Sequence, residues 1–106
     1  MSENTKNHVL NIVKQLENPE LIEWQDEENQ SAFDYLNDAL EIKYILDEAK
    51  NYLGAKILVS FGGPNIWINT QHNTVDGYWW GDNASLAYKD NLGLDDACSE
   101  LFECRN

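Results

Sequence analysis

The stretch Ala55-Lys56-Ile57-Leu58-Val59-Ser60-Phe61-Gly62-Gly63-Pro64-Asn65-Ile66-Trp67-Ile68-Asn69 decides the fold. Its first seven residues are rich in β-branched side chains and read as a strand. Gly62-Gly63-Pro64-Asn65 is a turn signal, and Ile66 to Asn69 is a second, short strand. Beyond it, Gln71-His72-Asn73 predicts another turn and Thr74 to Trp80 another strand, ended by Gly81-Asp82-Asn83. On the N-terminal side, Leu40, Ile42 and Tyr44 alternate with Glu41 and Lys43, a period of two that marks a half-buried strand. A helix continuing to Tyr52 is the competing reading of that segment. Four strands joined by short connections predict an antiparallel meander.

Helical spacing brackets the strands. From Glu3 to Glu17, Val9, Val13 and Leu16 fall on one face, until Asn18-Pro19 stops the pattern. After the proline, acidic residues surround Leu21, Ile22 and Trp24 in either a short helix or an irregular loop. Ser31 opens a second helical pattern, with Phe33, Leu36, Ala39 and Leu40 to one side. At the C-terminus, Leu94, Ala97, Cys98, Leu101 and Phe102 recur at helical spacing, with Asp95 and Asp96 in the first turn. The expected fold is therefore a single α+β domain over residues 1–106. About four antiparallel strands carry the N-terminal helices and a C-terminal helix on one face, burying Leu94, Cys98, Leu101 and Phe102.

Charge is the strongest compositional feature. Nineteen acidic residues against seven basic ones give a formal net charge of −12. Eleven carboxylates and a single basic residue, Lys43, lie between Glu17 and Glu48, so that window holds ten of the twelve excess negative charges. Like charges so concentrated oppose compaction, and solubility of a small domain needs a net charge of only about 2–8. The excess points to a partner that favours negative charge. Duplex DNA carries one negative charge per ~1.7 Å of axis, and a row of carboxylates projecting from a helix and strand imitates it. The same sign argues against direct binding of nucleic acid or an anionic membrane. No apolar run approaches the ~18 residues of a membrane span, and no basic segment precedes an apolar one, so a soluble, cytoplasmic protein is expected.

Aromatic residues form the second feature. Three of the four Trp lie between Phe61 and Asp82. In a strand, Tyr78 and Trp80 would share one face and Trp79 take the other, with Trp67 able to pair with one of them across the ladder. Exposed Trp and Tyr are typical anchors of protein interfaces. Catalytic and ligand motifs are missing: Gly62-Gly63 lacks the pattern of a phosphate loop, no acidic stretch carries the central glycine of a calcium loop, and Cys98 and Cys104 join no four-ligand set. Neither His8 nor His72 sits near a recognisable nucleophile. No enzyme activity, cofactor or metal is expected.

The block Phe61 to Ile68 with Gly77 to Asp82 resembles small proteins carried by phages and mobile elements. Size and acidity resemble anti-restriction and anti-CRISPR DNA mimics, and small immunity proteins that neutralise nuclease toxins. Those resemblances imply a non-enzymatic inhibitor that fills the basic, nucleic-acid-binding cleft of a nuclease or defence-complex subunit. The expected contacts are Glu20, Glu23, Trp24, Asp26, Glu27, Glu28, Asp34 and Asp38. The alternatives are an immunity protein for a nuclease toxin, or an interaction module that uses Trp67, Tyr78 and Trp79.

Overall fold

The computed structural model describes residues 2–104. Helix α1 (Ser2–Glu17) is followed by a single 3-10 turn (Pro19–Leu21), an irregular acidic segment and the short helix α2 (Ala32–Asn37). Strands β1 (Glu41–Leu46), β2 (Tyr52–Ser60), β3 (Asn65–Asn69), β4 (Thr74–Trp79) and β5 (Asp82–Ala87) come next, and helix α3 (Leu94–Cys104) closes the order. The strands form one antiparallel sheet in sequential order, β1-β2-β3-β4-β5. The α+β class and the meander agree with the sequence reading. The helical alternative for Leu40 to Tyr52 does not hold: that segment is β1, a turn in which the Asp47 carboxylate accepts from Asn51 N at 2.8 Å, and the start of β2.

Register explains why the alternation was readable. Ile42, Ile57, Ile68, Val75 and Leu86 form one cross-strand row. Ile57, Ile68 and Val75 are fully buried in the core, where each contributes about 1.5–3 kcal/mol by leaving water. The next row, Glu41, Leu58, Trp67, Asp76 and Ser85, points to the other face. Helix α1 packs on β4 and β5, and α3 packs on β2 and α2. Gly77 sets the closeness of α1. A Cβ there would lie 2.6 Å from Val9 Cγ2 and 3.0 Å from Thr5 Cγ2, so a side chain would push the helix off the sheet.

Helix α3 is held by a polar lock as well as by apolar burial. The Asp90 carboxylate accepts from the N–H groups of Gly93, Leu94 and Asp95 at 2.9, 2.8 and 3.1 Å, satisfying donors that the helix itself leaves open. Asp95 then accepts from Tyr52 Oη at 2.9 Å and from Thr70 Oγ1 at 2.8 Å, while Thr70 Oγ1 accepts from Ala55 N at 2.8 Å. An extra residue in β2, between the pairs Ile45–Gly54 and Leu46–Tyr52, lets Tyr52 reach this network. Leu94 and Cys98 are buried as expected. Leu101 and Phe102 are only half-buried, a correction with a simple geometric cause: they lie in the last turns, beyond the edge of the tightest packing. Phe102 instead sets its ring against Tyr44 and Tyr52, at 5.3 and 5.7 Å between centroids.

The fifth strand is the main correction to the sheet. Asp82 to Ala87 reads Asp-Asn-Ala-Ser-Leu-Ala, poor strand formers apart from the leucine. Gly81-Asp82-Asn83 is not the end of the sheet. Trp80 and Gly81 make a two-residue hairpin turn, with φ of 52° and 78°, and β5 runs back from it. Among the described residues, no helix is long and apolar enough to cross a membrane.

Candidate functional site

Two regions stand out, one at each flank of the end of β2. The first is an aromatic cleft at the tips of the β2–β3 and β4–β5 hairpins. Phe61, Gly62, Gly63 and Asn65 from one turn face Tyr78, Trp79, Trp80 and Asp82 from the other across a hollow of about 460 Å³. Phe61 is 72% exposed, Tyr78 48% and Trp80 85%. Trp80 also stands in left-handed backbone, which a bulky residue rarely adopts and which costs of order 1–3 kcal/mol. The favoured residue at this position of such a turn is Asn, Asp or Gly. The Trp79 ring, edge-on to Trp80 at 5.5 Å between centroids, gives the exposed indole a half-buried support.

The second region is the acidic segment. Its Trp24 is half-buried, and its indole N–H donates to Pro19 O at 3.1 Å, which ties the ring to the 3-10 turn that follows α1. Ile12, Gln15, Ile22, Tyr35, Ala39 and Val59 complete a pocket of about 220 Å³, with Glu23 and Asp38 among its lining residues. Burial pushes the Tyr35 phenol up to about 12, so the ring stays neutral. A shallower polar hollow of about 150 Å³ brings Trp24 and Asp38 together with Asp26 and Asp34. Trp24 and Asp38 thus line both hollows.

The sequence-predicted contacts separate into three groups. Glu23, Trp24 and Asp38 share the pocket. Asp26 and Asp34 are occupied by local structure. Asp26 accepts from Glu28 N at 2.9 Å and from Asn29 Nδ2 at 2.7 Å. Asp34 forms a reciprocal cap with Ser31 at the start of α2, and its hydrogen bonds to Ser31 hold its carboxyl below the usual range. Glu20, Glu27 and Glu28 are exposed and line neither hollow. The expectation of a carboxylate row on a rigid helix and strand therefore needs correction. Glu23 to Glu28 lie in irregular chain, because residues 22–30 combine too few apolar positions with too many like charges to sustain a helix.

The alternative contacts are also redistributed. Trp67 does not pair with an aromatic across the ladder; its partners are Leu58 and Asp76. It lies instead beneath two ammonium groups, Lys43 Nζ at 5.3 Å and Lys56 Nζ at 5.4 Å from the ring centroid. Register sets those lysines opposite each other on β1 and β2. So two of the seven basic residues converge on the face that carries Trp67. Tyr78 and Trp79 do line the aromatic cleft. Trp80 does not share a strand face with Tyr78, since it belongs to the turn. The two most exposed members of the cleft, Phe61 and Trp80, lie outside the expected contacts. Each immediately precedes a glycine of a turn, and that adjacency was the available signal.

Among the described residues, no group of three or more His, Cys, Asp or Glu is placed to hold a metal ion. Burial and the nearby Asp95 and Asp90 push the Cys98 thiol up to about 12, which disfavours its nucleophilic thiolate; Cys104 is exposed. No family model, curated protein or solved structure matches this chain.

Proposed function

We propose that this protein is a non-enzymatic binding module that docks on a basic protein surface, anchored by the aromatic cleft and steered by the acidic segment. The observation that carries this reading is Trp80, 85% exposed and in left-handed backbone. Its position adds no burial and opposes the preferred turn conformation, so folding alone gives no reason for a tryptophan there. With Phe61 and Tyr78 it makes the desolvatable aromatic cluster from which interface hot spots are built.

The acidic segment supplies the second half. Val59 lines the Trp24 pocket and Phe61, two residues on, lines the aromatic cleft, so both features sit at the C-terminal end of β2. Among the described residues, Lys43 pairs with Glu41 at 3.8 Å within the window, whereas Glu23 and Asp38 meet no basic group. The field of the remaining carboxylates therefore reaches solvent, where it accelerates encounter with a positive partner. A basic nucleic-acid-binding cleft of a nuclease or defence-complex subunit is such a partner, and occupancy of that cleft would exclude DNA or RNA without chemistry. A toxin nuclease, with this protein as its immunity partner, is the same physical arrangement.

The test is competition. A partner recovered by affinity capture is offered labelled DNA with increasing amounts of this protein. Wild type displaces the DNA, less well as salt rises; Trp80→Ala and Phe61→Ala lose displacement. A partner that holds DNA and this protein simultaneously would defeat the inhibitor reading, and binding unaffected by Trp80→Ala would defeat the aromatic anchor.

A further inference from the structure

We propose that the Trp24 pocket is a receptor for one arginine side chain of the partner. The inference deepens the basic-partner reading and rests on it for its biological meaning. The pocket has the parts that a guanidinium needs. Ile12, Ile22, Ala39 and Val59 supply an apolar lining for the aliphatic stem, and Trp24 and Tyr35, which line the same hollow, are the residue types on which a planar cation stacks. Glu23 and Asp38 supply two carboxylates for the charged end. Neither carboxylate is hydrogen-bonded or ion-paired among the described residues, in contrast to Asp26 and Asp34, which are engaged locally. The Trp24 ring is held by its hydrogen bond to Pro19 O, so it is oriented before any ligand arrives. A volume of about 220 Å³ accommodates one long side chain and no larger body. Arginine is favoured over lysine because its guanidinium is planar, less strongly hydrated, and able to stack and donate bidentately together.

Isotope-labelled full-length protein is titrated with N-acetyl-arginine amide, N-acetyl-lysine amide and the neutral isostere N-acetyl-citrulline amide, following amide and indole N–H resonances by NMR. The arginine probe shifts the Trp24 indole N–H and the Asp38 and Ala39 amides saturably. Lysine binds more weakly, and citrulline produces no saturable shift. Asp38→Asn, exposed and isosteric, keeps the spectrum of the folded protein but weakens the arginine probe about three- to fivefold, the scale of one exposed ion pair. Trp24→Phe, which keeps an apolar ring and removes the indole, weakens it as well. Equal binding of citrulline, equal binding of lysine, or full affinity in Asp38→Asn overturns the assignment, as does the absence of saturation with arginine. The probes need no partner. Failure here leaves the Trp80 competition result standing, and failure of that competition leaves the titration readable.

Discussion

The acidic segment and the aromatic cleft lie near the same end of β2, yet they are built on opposite principles. The acidic segment is irregular over residues 22–30, and the strength of its field is set by how many carboxylates it holds. The aromatic cleft is built on two hairpin turns, and its character depends on the backbone at single residues: φ of 92° at Gly62, 52° at Trp80 and 78° at Gly81. A summed electrostatic field tolerates disorder in its sources, whereas an apolar anchor needs its ring held in one place before binding. For the binding function we propose, the difference implies different kinetic roles for the two regions. Loss of charge should act on association, and loss of an aromatic ring on dissociation.

Both roles presuppose one intact core beneath them, and the largest effects come from breaking it. Ile57→Ala, at a fully buried position of the core row, should cost about 2–5 kcal/mol in chemical denaturation. Leu94→Ala should fall in the same range and exceed Leu101→Ala, because Leu94 is fully buried and Leu101 is not. Equal losses at the two leucines would show that α3 docks along its whole length rather than by its first turns.

Substitution in the cleft comes next. Trp80→Ala should weaken partner binding by about 2 kcal/mol or more, as expected of a hot spot, almost all of it through faster dissociation. Neutralising Glu20, Glu27 and Glu28 together, exposed residues that line neither hollow, should slow association several-fold at low salt and flatten its salt dependence, leaving dissociation nearly unchanged. Surface plasmon resonance at several ionic strengths separates the two. If the acidic variant instead dissociates faster, the segment is an anchor and the contrast drawn above is lost.

Smaller effects test the local chemistry. Ser31→Ala should cost about 1 kcal/mol of thermal stability by removing the cap of α2. The Asp34 partner in that cap has its pKa lowered on folding, so its contribution is present at neutral pH and disappears as the pH falls through the folded value. At the alkaline end, Cys98 and Tyr35 are both raised to about 12 by burial, so the folded state keeps protons that the unfolded chain releases. Their contribution is complete below the ordinary values of 9.0 for the thiol and 10.0 for the phenol, and declines as the pH rises from there to about 12. Denaturation midpoints measured from neutral pH upward should fall across that interval. Under native conditions a thiol reagent should modify exposed Cys104 promptly and buried Cys98 only on unfolding.

Much of this fold was legible from the alternation of Leu40, Ile42 and Tyr44 and from the β-branched run at Ala55 to Phe61, and Ile42, Ile57, Ile68 and Val75 meet in the core row. The strand β5 was not legible because its residues have weak strand propensity, and its pairing is imposed by the Trp80-Gly81 turn and by α1 packing above it. The charge of the acidic window could be counted directly. Which carboxylates remain unengaged could not, since that depends on the turn at Asp26 and the cap at Asp34. The aromatic cleft was half visible. Tyr78 and Trp79 were recognised, but reading Trp80 as a strand residue hid the fact that the turn lifts it into solvent. Trp67 was recognised too, but not that register sets Lys43 and Lys56 over its ring.

We propose that Trp80 serves binding and not folding, and Trp80→Asn is the sharpest test. Asn-Gly is the preferred pair for this turn, so the substitution relieves the left-handed strain while removing the ring. Thermal unfolding and partner affinity are measured on the same preparation. The account predicts a Tm equal to or above wild type together with affinity reduced to the level of Trp80→Ala. A lowered Tm with affinity retained would mean that the indole holds the hairpin together and that the binding surface lies elsewhere.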